Sequence, residues 1–179
     1  MTNEGRQAHV DQLAAELGCV TVQQPNMPGM MFVEYEPPVI EGPIIASQSD
    51  YLTMLHELGH VARGHTQGRP PFTEKTFYFD NGVLRSEAEA WEWALDHCRE
   101  EDELDTTARA FMWRRCMGSY YQGSRIANGR GGQQLWNGNR HHVLFAYDKP
   151  DVFFWSVAQR MAGNVVQLPS ESEEFLVAA

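Results

Sequence analysis

Two histidines and a glutamate lie close together in the run His56-Glu57-Leu58-Gly59-His60. Histidines at positions i and i+4 occupy one face of a helix, so both imidazoles can reach a single metal ion. Glu57 then lies beside the ion, where a carboxylate can take a proton from an attacking water and pass it to a leaving amine. The spacing therefore predicts a zinc ion bound by His56 and His60, with Glu57 as the catalytic base.

A catalytic zinc site has three protein ligands and one open position, so a third ligand must come from elsewhere in the chain. We expect Glu87, because a carboxylate suits zinc and its helix face, shared with Trp91, can approach the core. Alternatively, Glu87 only begins its helix, where the dipole favours an acid. Glu89 faces another way and is the reserve ligand. Either His141 or His142 is a further alternative, but not both, since neighbouring strand side chains point to opposite faces.

Hydrolysis at such a site also needs a donor that stabilises the oxyanion of the tetrahedral intermediate. Tyr51 lies one turn before the motif, Tyr78 precedes the ligand helix, and His65 follows His60 by five residues. The sequence does not distinguish among these three candidates. Both tyrosines could instead pack in the core, and His65 could cap a helix C-terminus, where a cationic side chain is favoured.

Residues 54–60, Met-Leu-His-Glu-Leu-Gly-His with His65 following, resemble the active-site motif of the ImmA/IrrE-type metallopeptidases of phages and mobile elements. In that family a downstream helix supplies a glutamate ligand in the pattern Glu-x-x-Ala-x-x-aromatic-Ala. Residues 87–94 read Glu-Ala-Glu-Ala-Trp-Glu-Trp-Ala and match this pattern, with Glu87 at the ligand position. The resemblance covers residues 7–98, about half of the chain.

The resemblance implies a zinc-dependent endopeptidase with a gluzincin-like site of two histidines and one glutamate. It implies a specific cytosolic substrate, often a DNA-binding repressor in this family, and a phage or mobile-element origin. The chain departs from the family pattern at Trp91, where the family usually has asparagine, and at residues 95–98, which replace a Leu-Leu-Met-Pro-like ending. We expect these departures to affect the substrate pocket more than the metal site.

The sequence pattern predicts an α+β fold with a small, mostly antiparallel sheet, an active-site helix, a ligand helix and extra C-terminal helices. The resemblance implies that this fold is a zincin-like minimal metallopeptidase. Ser49 or Asp50 is expected to cap the active-site helix, which should end near Gly64, and Ser86 to cap the ligand helix. We expect helices over residues 7–17, 87–98, 106–121 and 150–161, the last with Pro150 at N1. We expect strands over residues 19–23, 31–35, 43–46, 76–79 and 142–147, and a loop over residues 123–140.

The length of 179 residues fits a single metallopeptidase domain. We divide it into a catalytic core (1–98), a C-terminal extension of helices and loops (99–169) and an acidic tail (170–179). Three scattered cysteines without a C-x-x-C pair argue against a disulfide framework and against a cysteine zinc site, and they favour the cytoplasm. No secretory signal or long apolar run is visible, so we expect no membrane partner.

A net charge of −10 should repel nucleic acid on average, yet one stretch is basic. Residues 106–147 contain no acidic residue but hold Arg109, Arg114, Arg115, Arg125, Arg130 and Arg140. We expect this stretch to pair with the acidic segment 100–105, and an acidic partner or a nucleic-acid backbone is the alternative. Two rival functions follow: a non-catalytic zinc-containing binding module, and a DNA-associated regulator. Glu57 favours hydrolysis, because a purely structural metal site does not need that carboxylate.

Overall fold

The computed structural model of the protein describes residues 1–25, 27, 29–32, 36–65, 76–79, 83–118, 120–121, 135–137, 141–145, 150–164 and 166–168. These ranges hold five α-helices: α1 (Asn3–Glu16), α2 (Gln48–Ala62), α3 (Val83–Asp96), α4 (Thr106–Phe111) and α5 (Val152–Ala162). They also hold six strands: β1 (Val20–Gln24), β2 (Met30–Phe32), β3 (Val39–Pro43), β4 (Thr76–Phe79), β5 (Leu135–Asn137) and β6 (His141–Phe145). For β2, β4, β5 and β6 the description is confined to the backbone. This mixture of helices and strands confirms the α+β class.

The strands form two three-stranded sheets, with the orders β1-β3-β2 and β4-β6-β5. In each sheet the central strand is parallel to one neighbour and antiparallel to the other. The prediction of a single, mostly antiparallel sheet is therefore wrong. In the first sheet the chain reverses direction between β1 and β2 and again between β2 and β3, so β1 and β3 run the same way. They pair directly, with Val20 opposite Val39.

Helix α2 carries the His-Glu-Leu-Gly-His run and begins at Gln48, two residues before Asp50. Ser47 is the N-cap: its hydroxyl accepts a hydrogen bond from the backbone N–H of Asp50 at 3.2 Å. The Asp50 carboxylate in turn accepts from the Ser47 hydroxyl at 2.7 Å. The Ser47 hydroxyl thereby satisfies one N–H that an open helix end leaves free and is itself held by the Asp50 carboxylate, which is why Ser47 and not Ser49 or Asp50 takes the cap position.

The C-terminus of α2 is a Schellman turn, which confirms the predicted end near Gly64. Gly64 adopts a φ of +67°, its N–H bonds the carbonyl of Val61 at 3.0 Å, and the N–H of His65 bonds the carbonyl of His60 at 2.9 Å. Glycine is favoured at this position because it has no Cβ to clash in the left-handed region. The turn folds the chain back, so His65 lies directly beside His60.

Replacing Gly64 with alanine is expected to lower the free energy of unfolding by about 1 kcal/mol, since a Cβ is disfavoured at positive φ. Gly18, which ends α1 in the same turn at a φ of +66°, offers a matched substitution. A Cβ at either glycine would meet no atom within 4 Å, so the cost is conformational at both. Urea denaturation should give similar losses for Gly64→Ala and Gly18→Ala. A much larger loss for one of them would contradict this shared cause.

Helix α3, the predicted ligand helix, begins at Val83 rather than after Ser86. Its buried face starts two residues before Ser86 and includes Leu84, Ala88, Trp91 and Leu95, which recur at helical spacing. That apolar face packs against α2. Because Leu84 belongs to it, the helix begins before Ser86, and Ser86 lies inside the first turn. The packing of α3 on α2 brings the two motifs of the sequence together.

The remaining boundaries differ from the predictions in several places. Helix α1 begins at Asn3 because Thr2 caps it, β2 begins at Met30, and β3 ends at Pro43 rather than covering residues 43–46. Residues 33–35 of the predicted second strand lie outside the described part. The predicted helix over residues 106–121 is α-helical to Phe111 and then π-helical over Met112–Met117. Residues 135–137 form β5 within the predicted loop. The predicted strands over 19–23, 76–79 and 142–147 correspond to β1, β4 and β6. Residues 122–134 and the acidic tail lie outside the described part.

Helix α5 begins after Asp151, whose carboxylate accepts the backbone N–H of Phe154 at 2.8 Å. Pro150 therefore precedes the N-cap and does not occupy N1 as predicted. A carboxylate cap is favoured here because it bonds a free N–H at the positive end of the helix. Among the described residues, no helix combines the length and the apolar character that crossing a bilayer requires.

Candidate metal centre

Three predicted ligands converge where α2 and α3 cross. The Nε2 atoms of His56 and His60 lie 3.0 Å apart, and His56 Nε2 lies 3.1 Å from Glu87 Oε2. His60 Nε2 lies 3.6 Å from the other oxygen, Glu87 Oε1. The i, i+4 spacing places both imidazoles on the face of α2 that α3 covers. The structure thus brings His56, His60 and Glu87 into one group, each with a ligand atom within 4.8 Å of the others.

The separations suit a small tetrahedral ion. Ligand atoms about 2.1 Å from such an ion lie about 3.4 Å from one another, close to the separations found in this group. All three side chains are largely enclosed, with His56 7% and Glu87 4% exposed. Glu87 Oε2 is buried and forms no hydrogen bond of acceptable geometry with any described residue, which is costly unless a cation satisfies it. Two imidazoles and one carboxylate are a donor set that zinc accepts.

The electrostatics favour the metal-binding forms of His56 and Glu87, whereas at His60 the Glu87 carboxylate outweighs burial and raises the pKa, so a metal ion must displace a proton there. Burial lowers the pKa of His56, which keeps its ring neutral. Burial by itself would raise the pKa of Glu87, but the adjacent His60 and His56 outweigh it and hold that pKa below its ordinary value. Glu87 is therefore an ionised carboxylate facing a neutral imidazole, as a His and Glu ligand pair must be.

Glu57 lies next to the group without belonging to it. Its side chain is 8% exposed and faces the segment at Gly29, where an added Cβ would come within 2.6 Å of Glu57 Oε1. Burial raises the pKa of Glu57 to about 7, against the opposing effect of His60. Only a glycine leaves room for this carboxylate. The arrangement can hold a metal ion on three ligands with a separate carboxylate beside it.

Gly59 sets the distance between the two helices that supply the ligands. A Cβ at Gly59 would lie 2.5 Å from the backbone carbonyl oxygen of Ala90 on α3. Real side chains do not approach a carbonyl so closely, so any larger residue must push the helices apart. The absence of a side chain at Gly59 is therefore what allows α3 to pack closely on α2.

Substituting Gly59 with alanine is expected to lower the free energy of unfolding by about 1–3 kcal/mol and to weaken zinc binding, because α3 must move away from α2. Gly42→Ala is the control: a Cβ there would meet the side chain of Met54, which can rotate, whereas the Ala90 carbonyl cannot. Urea denaturation and zinc titration of both variants test this. Equal effects at the two positions would show that backbone contact is not the cause.

Trp91 is the main feature of the centre that the motifs do not indicate. Its ring stacks on that of His56, with centroids 4.3 Å apart and planes 22° from parallel. It is fully buried, and its Nε1 has no hydrogen-bond partner among the described residues. The indole fills the space beside the first ligand and restricts rotation of that imidazole. Its position one turn after Glu87 was the available signal, since residues i and i+4 share a helix face.

Other predicted site residues have different surroundings. The Tyr51 hydroxyl bonds His9 Nδ1 on α1 at 2.7 Å and accepts the N–H of Arg99 at 3.5 Å, so the structure does not bring it to the ligands. Burial raises the pKa of Tyr51 to about 12. His65 contacts His60, and its other ring nitrogen contacts Glu89. Glu89, the reserve ligand, is thus outside the group of three. The side chains of Tyr78, His141 and His142 lie outside the described part of the structure.

The centre is characterised by its own residues rather than by relatives. No family model matches the sequence, and neither curated proteins nor solved structures provide a match. What the geometry establishes is a buried group of two imidazoles and a carboxylate that could bind a metal ion, formed where α2 and α3 cross.

Proposed function

We propose that the protein is a zinc-dependent metalloendopeptidase that hydrolyses a peptide bond. The observation that carries the proposal is the convergence of His56, His60 and Glu87 with a fourth residue beside them, Glu57, whose carboxylate is not among the ligands. A structural metal site needs its ligands alone, whereas a hydrolytic site also needs a base. This combination supports hydrolysis over a non-catalytic binding module.

His56, His60 and Glu87 would hold the ion, which, when bound, would polarise the substrate carbonyl and acidify a water. Glu57 takes the proton from the attacking water and delivers it to the leaving amine. Trp91 keeps the His56 ring in one orientation and excludes water from that side. Gly29 leaves the space that the Glu57 carboxylate needs to reach the reacting atoms.

The resemblance to the ImmA/IrrE-type metallopeptidases supports a zincin-like, gluzincin-like assignment and a specific substrate. Under this proposal the substrate is a single cytoplasmic protein, of which a DNA-binding repressor is the leading candidate, and the source is a phage or mobile element. The match of residues 87–94 to the family pattern supports it, since Glu87 lies among the ligands. The substitution at Trp91 fills the place next to the metal with an aromatic ring, which suggests a substrate pocket unlike that of the family.

The DNA-associated alternative depends on the arginines of residues 106–147. Arg109 donates to the backbone carbonyls of Glu101, Arg160 and Met161, at 3.0, 3.1 and 3.3 Å. Its guanidinium therefore binds the end of α5 and the acidic segment rather than facing solvent. Arg114 is exposed, and the side chains of Arg115, Arg125, Arg130 and Arg140 lie outside the described part. Because Arg109 is bonded within the protein, the described residues support hydrolysis more strongly than DNA binding.

The proposal is tested with purified protein, metal analysis and a peptide library derived from a proteome. We expect about one zinc per chain and new peptide termini, detected by mass spectrometry, that disappear after chelation and return when zinc is added. One zinc per chain with no new termini would favour the binding module instead. Protein that neither retains zinc nor takes it up would contradict the whole assignment.

A further inference from the structure

A chain of side-chain contacts leads away from the metal centre through residues that do not belong to it. His60 Nδ1, the ring nitrogen that faces away from the ligands, lies 2.9 Å from His65 Nδ1. His65 Nε2 lies 3.2 Å from Glu89 Oε2 on α3. The other oxygen of Glu89 accepts a hydrogen bond from Arg85 Nε at 2.6 Å.

Metal binding by His60 fixes the direction of every hydrogen bond in this chain. A histidine that binds metal through Nε2 uses the lone pair of that atom, so its proton is on Nδ1. His60 therefore donates from Nδ1, and His65 must accept on its own Nδ1. A neutral His65 then carries its proton on Nε2, which faces the Glu89 carboxylate. Each donor meets one acceptor, without a conflict at any step.

The fold holds both outer residues in place. The Schellman turn at Gly64 brings His65 back over the last turn of α2, where its backbone N–H also bonds the carbonyl of His60. Arg85 lies one turn before Glu89 on α3 and orients its carboxylate. Arg85 is itself held by Asp151 at 3.0 Å and lies 4.1 Å from the centroid of the Phe153 ring.

We propose that His65 and Glu89 are positioning residues that fix the orientation and the tautomer of His60 and thereby raise the affinity of the centre for zinc. The inference rests on the proposed zinc site but not on peptide hydrolysis. Outer partners that accept the free N–H of a metal-binding histidine contribute about 10–100-fold in metal affinity. Among the described residues His56 has no such partner, because its Nδ1 is buried without a hydrogen bond. The orienting contact is thus made at His60.

The test is competition for zinc between the protein and a chromophoric chelator at fixed pH. We expect Glu89→Ala and His65→Phe to weaken zinc binding by about 10–100-fold. Glu89→Gln keeps an acceptor for His65 and should recover part of the loss. Glu92→Ala is the matched control: Glu92 lies on the same helix and bonds Arg63 of α2 at 3.0 Å, but it touches no ligand. Its zinc affinity should equal that of the wild type.

A second measurement reports the tautomers directly. In the zinc-bound protein, the ¹⁵N spectrum of the histidine rings should show His60 protonated at Nδ1 and His65 protonated at Nε2. Without zinc, the wild type should keep the His65 proton on Nε2, whereas Glu89→Ala should show a mixture of tautomers at His65, because neither the metal nor Glu89 then selects one. A loss of packing alone would not produce this change. If His65→Phe does not fold, Glu89→Ala and Glu89→Gln are sufficient for the test, because the Glu89 side chain is partly exposed.

Three outcomes would overturn the inference. Zinc affinity in Glu89→Ala equal to that in Glu92→Ala would remove the positioning role and leave the proposed function intact. His65 protonated at Nδ1 in the zinc-bound protein would reverse the hydrogen bonds and have the same result. Absence of zinc binding by the wild-type protein would overturn this inference together with the zinc site.

Discussion

Glu57→Gln is expected to lower the rate of peptide hydrolysis by about 10²–10⁴-fold while leaving zinc bound. Glutamine has the size and shape of glutamate but cannot accept a proton from water at neutral pH. Glu57 is absent from the group of three ligands, so the metal loses no donor. The measurement is the rate at which zinc-loaded protein produces new peptide termini, with zinc content determined on the same sample.

The matched control for this change is Glu92→Gln, which removes a carboxylate on α3 whose hydrogen-bond partner among the described residues is Arg63. It should keep the wild-type rate. A Glu57→Gln protein that cleaves as fast as the wild type would show that another group acts as the base. Loss of zinc in this variant would instead mean that Glu57 supports the metal.

The same substitution should change how stability depends on pH in the metal-free protein. Burial raises the pKa of Glu57 from its ordinary value of 4.5 to about 7. In the unfolded chain the carboxyl ionises first, so its contribution to folding falls as pH rises from about 4.5 to 7. Glu57→Gln should remove this part of the decline. Urea denaturation at several pH values measures the difference between the two proteins.

Glu87→Ala is expected to weaken zinc binding by more than about 100-fold, which exceeds the effect of losing an outer partner. The substitution removes the only carboxylate of the group and leaves two imidazoles, one fewer than the three protein ligands of a catalytic site. Zinc should raise the stability of the wild type by about 2.7 kcal/mol at a free concentration 100 times its dissociation constant. The melting temperature of Glu87→Ala should not respond at that concentration.

Glu92→Ala again supplies the comparison, because its melting temperature should respond to zinc like that of the wild type. The metal-free Glu87→Ala protein must also be shown to fold, by circular dichroism. Full zinc occupancy in folded Glu87→Ala would contradict the third-ligand assignment and direct attention to His141, His142 or Glu89.

Local spacing was sufficient to predict the inner part of the centre. His56 and His60 share a helix face by their separation alone, and Glu87 was expected on the core side because it shares a face with Trp91. The contact of His65 with Glu89 was not predicted, because it depends on the angle at which α2 and α3 cross. One of its parts was predicted, the helix end at Gly64 that brings His65 back to His60.

The errors in the predicted fold arise at places where the local sequence is compatible with more than one structure. Parallel pairing of β1 with β3 depends on strands distant in sequence, so hydrophobic alternation within each strand carries no information about it. Ser86 has the residue type of a cap, yet the burial of Leu84 continues the helix past it. Asp151 and Pro150 are both favoured at helix starts, and only the hydrogen bond to Phe154 decides between them.

The Schellman turn at Gly64 also determines which kinds of sequence change the centre can tolerate. The five-residue separation of His60 from His65 is set by a ring of backbone hydrogen bonds, which requires glycine at position 64 but no particular side chain at residues 61–63. A change of residue type at 61–63 therefore leaves this separation unaltered. An insertion of one residue there would rotate the chain by about 100° before the turn and direct the imidazole of His65 away from its partner. Chain length between these two histidines is thus more constrained than composition.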